Sequence, residues 1–254
     1  MIHQPRTALV TGGARRIGAA IVRDLAKNGF AVAIHCNRSR AEAETLAAEI
    51  DREGGQAVVV PADLTRLDEA GDLVARAVEQ VGPIGLLVNS ASIFEPDEIG
   101  SFDWDVWDAH FAVHVKAPVF LARQLSEALP AEMAGLVVNI IDERVWRPNP
   151  NFFSYTLSKS ALWDATRTMA QALAPRLRVN AIGPGPTLPN IRQQRADFDR
   201  QVAGLLLERG PDLSEFGGTV RYLFETMSVT GQMIAIDGGQ HLAWETPDVT
   251  GMAE

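Results

Sequence analysis

Tyr155 and Lys159 stand four residues apart in Tyr155-Thr156-Leu157-Ser158-Lys159, and on a helix that spacing puts both side chains on one face. A phenol ionises only near pH ~10 and exchanges protons poorly at neutral pH, but an ammonium beside it favours the anion. The chain holds just two tyrosines. The pair is therefore read as proton-transfer machinery and not as an exposed helical couple.

A scaffold must present that pair. Runs rich in Val, Ile and Leu at residues 7–10, 31–34, 57–60, 86–88, 136–141, 178–181 and 233–236 alternate with segments of helical spacing, such as 19–26, 41–50 and 155–173. Several runs are apolar at consecutive positions, as parallel strands covered by helices on both faces require. The expected fold is α/β, a single doubly wound Rossmann domain over residues 1–254 with a seven-stranded parallel sheet. Ligands of such sheets sit outside the carboxyl ends of the strands, so the strand-poor segments 92–108 and 182–200 are expected to build the substrate site.

Composition narrows the function classes. Of the 254 residues, 46% are hydrophobic and 22% charged, which excludes disordered and low-complexity chains. Acidic residues number 32 against 23 basic ones, for a net charge of −9, and this speaks against a nucleic-acid partner. The single cysteine, Cys36, leaves no intramolecular disulfide and fits a reducing compartment. No run approaches the roughly 18 apolar residues of a membrane span, and the N-terminus lacks the apolar stretch of a signal peptide. A cytoplasmic protein with no membrane partner is expected.

The first strand runs into Thr11-Gly12-Gly13-Ala14-Arg15-Arg16-Ile17-Gly18 and then an apolar helix. Gly12 suits a turn closed to residues with a Cβ, Gly18 lets the helix lie against its strand, and the helix N-terminus faces a dinucleotide pyrophosphate. The second strand chooses the cofactor. An NAD site generally places an acid near its end for the ribose hydroxyls, whereas here the chain reads His35-Cys36-Asn37-Arg38-Ser39-Arg40. Arg38 and Ser39, with Arg15 or Arg16 from the first turn, supply donors for an added phosphate, so NADP(H) is expected. Asp63, closing the third strand, either holds the adenine edge or caps the next helix.

With these residues the chain resembles the short-chain dehydrogenase/reductase family along essentially its whole length. The resemblance rests on the turn at 11–18, Asp63, Asn89-Ser90-Ala91-Ser92, Tyr155 with Lys159, Pro184-Gly185 and Asp237-Gly238-Gly239. It implies hydride transfer with a nicotinamide cofactor, Tyr155 as proton donor, Lys159 binding the nicotinamide ribose and depressing the tyrosine pKa, and Asn89 supporting the cofactor. Further cofactor contacts from Ile17, Leu64, Ala91, Pro184, Gly185 and Thr187, a homotetramer and no metal are also implied. Three residues depart from the family pattern: Arg16 replaces the middle glycine of the turn, Asp142 replaces the serine thirteen residues before the tyrosine, and His114 replaces a helix asparagine. The first two, with the sequence at 14–18, 35–39 and 89–94, resemble the pteridine reductase subgroup. His114 is similar to the bacterial dihydromonapterin reductases.

A pterin gives these departures a chemical reason. Its reducible bond is a ring C=N, so hydride goes to carbon and a proton to a weakly basic nitrogen. A carboxyl at Asp142 beside Tyr155 holds or relays that proton, where a serine donates one hydrogen bond. Phe94 can stack on the flat heterocycle, Arg16 can reach both pyrophosphate and a polar ring edge, and Ser92 joins them on the substrate side. The expected activity is NADPH-dependent reduction of a dihydropterin to a tetrahydropterin. The competing readings are a carbonyl reductase of the same fold and a non-catalytic dinucleotide-binding regulator.

Overall fold

In the computed structural model seven strands form one parallel sheet in the order β3-β2-β1-β4-β5-β6-β7. They are β1 (Thr7–Thr11), β2 (Ala31–Cys36), β3 (Gln56–Pro61), β4 (Leu86–Asn89), β5 (Gly135–Ile140), β6 (Leu177–Pro184) and β7 (Met233–Ile236). The described residues are 3–190, 192–246 and 250–251. Ile191 of the expected segment 182–200 lies outside them, as do 1–2, 247–249 and 252–254 of the expected domain. The helices are α1 (Arg16–Lys27), α2 (Arg40–Arg52), α3 (Leu67–Ala70), α4 (Leu73–Val81), α5 (Trp104–Phe111), α6 (Ala117–Ala128), α7 (Phe153–Leu173), α8 (Arg195–Ala203) and α9 (Leu213–Glu225), with a π-turn at Ala112–Lys116 joining α5 to α6.

Every residue of β4 and β5 is buried, the consequence of helices on both faces. On one face Ile21 and Leu25 of α1, Leu46 of α2 and Phe216 and Val220 of α9 pack on the sheet. On the other, Leu73 and Ala77 of α4, Leu121 and Leu125 of α6 and Ala170 of α7 do so. Each fully buried Leu or Ile contributes roughly 1.5–3 kcal/mol.

The two expected substrate segments are not wholly irregular. α5 begins inside 92–108, β6 continues to Pro184 because Pro184 still pairs with Ile236, and α8 occupies the end of 182–200. α8 buries no residue, so it has no apolar stripe by which hydrophobic spacing would reveal it. Its turns carry ion pairs instead, among them Arg195 with Asp199 at 2.9 Å.

The strand order reverses between β1 and β4, and there Thr11, Asn89 and Asn139 stand in register at the carboxyl edge. Thr11 Oγ1 accepts from the amides of Ser90 (3.0 Å) and Ala91 (3.1 Å), which brings the segment after β4 onto the glycine turn. A Cβ on Gly12, at φ +62°, would lie 2.8 Å from Ala91 Cα, and one on Gly18 would lie 2.2 Å from the Gly12 carbonyl oxygen. Only glycine allows that three-way approach of turn, helix and neighbouring loop.

Buried His35 fixes the turn from below. Its Nδ1 accepts from the Gly12 amide at 3.1 Å and its Nε2 donates to the Ala62 carbonyl at 3.1 Å. Burial brings its pKa down to about 4, whereas an unfolded chain's imidazole titrates near ~6.5. Between those values the unfolded chain takes up a proton that the native state refuses. Stability is therefore whole above pH ~6.5 and is lost as pH falls toward 4. Melting curves at about pH 7 and about pH 4.5 should show a larger drop for the wild type than for His35→Gln; equal drops would remove His35 from the acid response.

Candidate active site

The strand-to-helix passage from β5 to α7 brings Asp142 and Tyr155 together. Tyr155 Oη donates to Asp142 Oδ2 at 2.8 Å, and the phenol is 5% exposed. Lys159, one helical turn on, buries its ammonium and donates to the Ile140 carbonyl at 2.9 Å, tying α7 to the end of β5. The start of α7 has no cap from its own N-cap residue Phe152. Both carboxylate oxygens of Asp97, from the segment after β4, accept from the Ser154 amide at 3.1 Å instead. The orphan donors of the helix are thus satisfied by a residue distant in sequence.

The expected depression of the tyrosine is not the net result: burial, and then the Asp142 carboxylate, push the Tyr155 phenol well above its usual range, outweighing any pull from the Lys159 ammonium. The ammonium itself is brought down by burial to about 8, against the pull of Asp142. The carboxylate lies at hydrogen-bond distance, whereas Lys159 Nζ lies 5.7 Å from the phenol ring centre. The Tyr155 hydroxyl is accordingly neutral and donates the hydrogen bond to Asp142. Buried Glu143, beside Asp142, is raised to about 7 by burial and then by Asp142, and its Oε2 has no partner among the described residues.

Phe94 stands next to this pair, its ring edge-on to Tyr155 at 4.8 Å and stacked on Phe152 at 4.4 Å. Arg144 lies over both phenylalanine rings, at 5.3 and 5.0 Å, and 3.6 Å from Asp142 Oδ2. Arg192 ion-pairs with Glu95 at 2.8 Å and also donates to the Phe94 carbonyl. An open cavity of about 370 Å³ lies here, lined by Phe94, Arg144, Phe152, Asn190, Arg192 and Gln193 among others. Ser92 is exposed, its Oγ 3.0 Å from Nε2 of buried His114.

Arg16 stands at the middle position of the glycine turn. It adopts the glycine-like φ of +53°, and its guanidinium donates to the carbonyls of Leu188 and Pro189, both at 3.1 Å. Asp63 accepts from the amide (2.9 Å) and hydroxyl (2.8 Å) of Thr65, the geometry of a turn cap. Arg38 is exposed at the end of β2, Ser39 precedes α2, and Arg15 reaches Glu42 at 3.8 Å. Leu64 is buried below Asp63, and Ile17 packs against the core from the first turn of α1. Thr187 donates to the Gly185 carbonyl at 3.1 Å, and Pro184-Gly185 lies so close to Asp237 that a Cβ on Gly185 would be 2.5 Å from its Cα.

The residues at the edge of β1 and β4 fit a dinucleotide. α1 has no side-chain cap and no acid in its first turn, which leaves its amide donors and positive dipole end for an anion. Asn89 Nδ2 is committed to Asn139 at 2.8 Å, while buried Asn89 Oδ1 has no partner among the described residues. No carboxylate follows β2 before Glu42, so the exposed cation Arg38, with Asp63 within electrostatic reach, stands where a ribose phosphate would sit.

Asp97, His110 and Arg192 were not singled out by the sequence, because each acts through partners far along the chain and no local spacing marks them. Glu143 and Arg144 follow Asp142 directly, where the sequence offers them as its possible partners, and Arg144 does pair with it.

Comparison with known proteins places this geometry. A solved structure of FolM alternative dihydrofolate reductase 1 from Brucella canis, complexed with NADP, is 63% identical, with a TM-score of 0.94 over 96% of this chain and 97% of that one. Its counterpart from Brucella suis, also in complex with NADP, is 62% identical with a TM-score of 0.94, covering 98% of this chain and 100% of that one. The 3-oxoacyl-[acyl-carrier-protein] reductase FabG of Staphylococcus epidermidis is 26% identical over 242 residues, which are 93% of this chain and 99% of that protein. The family model for short chain dehydrogenase matches residues 6–200. That span holds the glycine turn, the Asp142–Tyr155 contact and all of α7, and this chain belongs to the short-chain dehydrogenase/reductase family.

Proposed function

We propose that this protein is an NADP(H)-dependent oxidoreductase that reduces a dihydropterin to the tetrahydropterin at a ring C=N. The observation that carries the reading is the 2.8 Å hydrogen bond from Tyr155 Oη to Asp142 Oδ2 beside the Phe94 ring. A serine at position 142 would polarise a carbonyl oxygen; a carboxylate there can receive and return a proton. The FolM relatives, solved with NADP and named dihydrofolate reductases, support the same cofactor and a pterin-bearing substrate.

When bound, NADPH supplies the hydride for the ring carbon. The proton for the adjacent nitrogen is the one held between Tyr155 Oη and Asp142 Oδ2. Burial keeps the phenol protonated until an acceptor arrives, and the Lys159 ammonium stabilises the negative charge that transfer leaves behind. Phe94 offers a flat apolar surface to the heterocycle, with Ser92 and Arg16 at its polar edge. Gly12, Gly18, Ile17, Asn89, Ala91, Pro184, Gly185, Thr187 and Lys159 line the cofactor's path. Arg15, Arg38 and Ser39 take its ribose phosphate, and Asp63 and Leu64 its adenine. Segments 92–108 and 182–200 of one domain, 1–254, form the substrate walls.

A homotetramer in the cytoplasm completes the reading. Edge strand β7 is only half-buried, and Tyr222, Met227, Leu242 and Trp244 are exposed apolar side chains in the same C-terminal part of the chain, which a second copy would cover. Cys36, the single cysteine, is buried and unpaired, and a chain with no disulfide fits a reducing compartment. No described helix is long and apolar enough to cross a membrane. Light scattering on native protein and cell fractionation test both points; a monomer, or recovery outside the cytosol, would refute them.

Tyr155→Phe should lower dihydropterin turnover at least about a hundredfold while NADPH affinity stays within about twofold, and Asp142→Ser should also lose most turnover. Steady-state kinetics and NADPH titration check both. Brisk turnover of ketones by a wild type inert toward dihydropterins would move the protein to the carbonyl reductases. Arg38→Asp should weaken NADPH at least about tenfold more than NADH, by deleting one phosphate partner and adding repulsion. Equal losses would remove Arg38 from the phosphate site.

A further inference from the structure

Two buried histidines stand behind the reactive tyrosine without touching its hydroxyl. His110 closes α5 and His114 sits in the π-turn that follows; they are 0% and 1% exposed. Their rings stack at 5.4 Å, and both face the Tyr155 ring edge-on, at 5.9 and 5.3 Å. His110 Nε2 accepts from the Glu95 amide at 3.3 Å, and His114 Nε2 from the Ile93 amide at 3.1 Å. A backbone amide can only donate, so each ring carries its proton on Nδ1. Those Nδ1–H groups face Ser154 Oγ at 2.7 Å and Ser158 Oγ at 2.8 Å. Ser158 Oγ in turn donates to the Tyr155 carbonyl at 2.7 Å.

We propose that His110 and His114 are positioning residues that clamp the backbone on either side of Phe94 to the two serines bracketing Tyr155, and so set the height of the stacking ring over the proton donor. The pattern is specific to that task. The anchored amides belong to residues 93 and 95, and Phe94 lies between them. The start of α7 already has its cap in Asp97, and Lys159 ties the helix to β5. What the imidazoles add is therefore the link to the loop. Both rings must be neutral to accept from an amide. Burial holds His114 well below its ordinary range, helped by the Lys159 ammonium, and lowers His110 as well.

The proposal rests on the pterin reading, because it gives Phe94 the stacking role. It is tested with His110→Asn and His110→Gln. Asparagine keeps a donor near the Nδ1 position and loses the acceptor for the loop; glutamine keeps an acceptor near the Nε2 position and loses the serine. His110→Asn should raise the KM for a dihydropterin about tenfold, with kcat and NADPH affinity within about twofold, and amides in 92–98 should exchange faster. His110→Gln should stay within about threefold of wild type and keep that exchange slow. Equal KM changes in the two variants, or a fall in kcat at unchanged KM, would overturn the clamp. If His110→Asn does not fold, Ser154→Ala removes the anchor on α7, and unchanged exchange in 92–98 would count equally against it. A wild type without dihydropterin turnover brings down the functional reading alone; the clamp is then decided by the exchange rates.

Discussion

A phenol and a carboxylate that hold one proton between them make the constraint on which the site turns. The 2.8 Å contact of Tyr155 with Asp142 requires β5 to end in time to leave Asp142 at the sheet's carboxyl edge, and α7 to begin so that Tyr155 stands in its first turn. Burial alone would raise the phenol's pKa. The neighbouring carboxylate raises it further, so the resting site stores a proton instead of presenting a phenolate. Arg144, at 3.6 Å from the same carboxylate, offsets part of the cost of keeping that charge away from water. A stored proton suits reduction of a C=N bond, in which the nitrogen must gain one as the carbon gains hydride.

The same edge of the sheet organises the cofactor side. Asn89 donates to Asn139, Asn139 donates to Thr166 at 2.8 Å, and Thr166 donates to the Leu162 carbonyl at 2.8 Å. This buried chain runs from β4 through β5 into α7, so the Asn89 amide at the sheet's carboxyl edge and the helix that carries Tyr155 share one hydrogen-bonded brace. Every link is satisfied except Asn89 Oδ1. An unpaired buried acceptor at the mouth of an otherwise complete network is expected where a ligand supplies the missing donor.

The elements with strong local signals were legible in the sequence. All seven strands were found from their short apolar runs, several of them apolar at consecutive positions, and the Tyr155–Lys159 pair because helical spacing is a local property. The ends were less legible. Cys36 and Pro61 extend β2 and β3 by pairing with each other, a partnership no single segment contains. The sign of the tyrosine's pKa shift was missed for a similar reason: the adjacent lysine is visible in the sequence, whereas distance decides between lysine and aspartate. Asp97 as the cap of α7 lies 57 residues from the amide it satisfies, and His110 has a role only because a loop and a helix meet on its ring.

Arg16 shows how a residue in a costly conformation can be retained for what its side chain does. A non-glycine residue in the left-handed region costs roughly 1–2 kcal/mol, and at φ +53° Arg16 occupies the place where the family has glycine. Its guanidinium braces the segment after β6 through the carbonyls of Leu188 and Pro189. Arg192, from beyond the same segment, reaches back to Glu95 and the Phe94 carbonyl. The glycine turn, the segment after β6 and the Phe94 loop are thereby joined in sequence by two arginines, and a displacement of any one is felt by the others. Those two carbonyls engage only part of a guanidinium that has five N–H donors. Arg16 can therefore serve a phosphate or a polar ring edge without releasing the brace, a combination open neither to glycine, which lacks the side chain, nor to lysine, which lacks the planar fork.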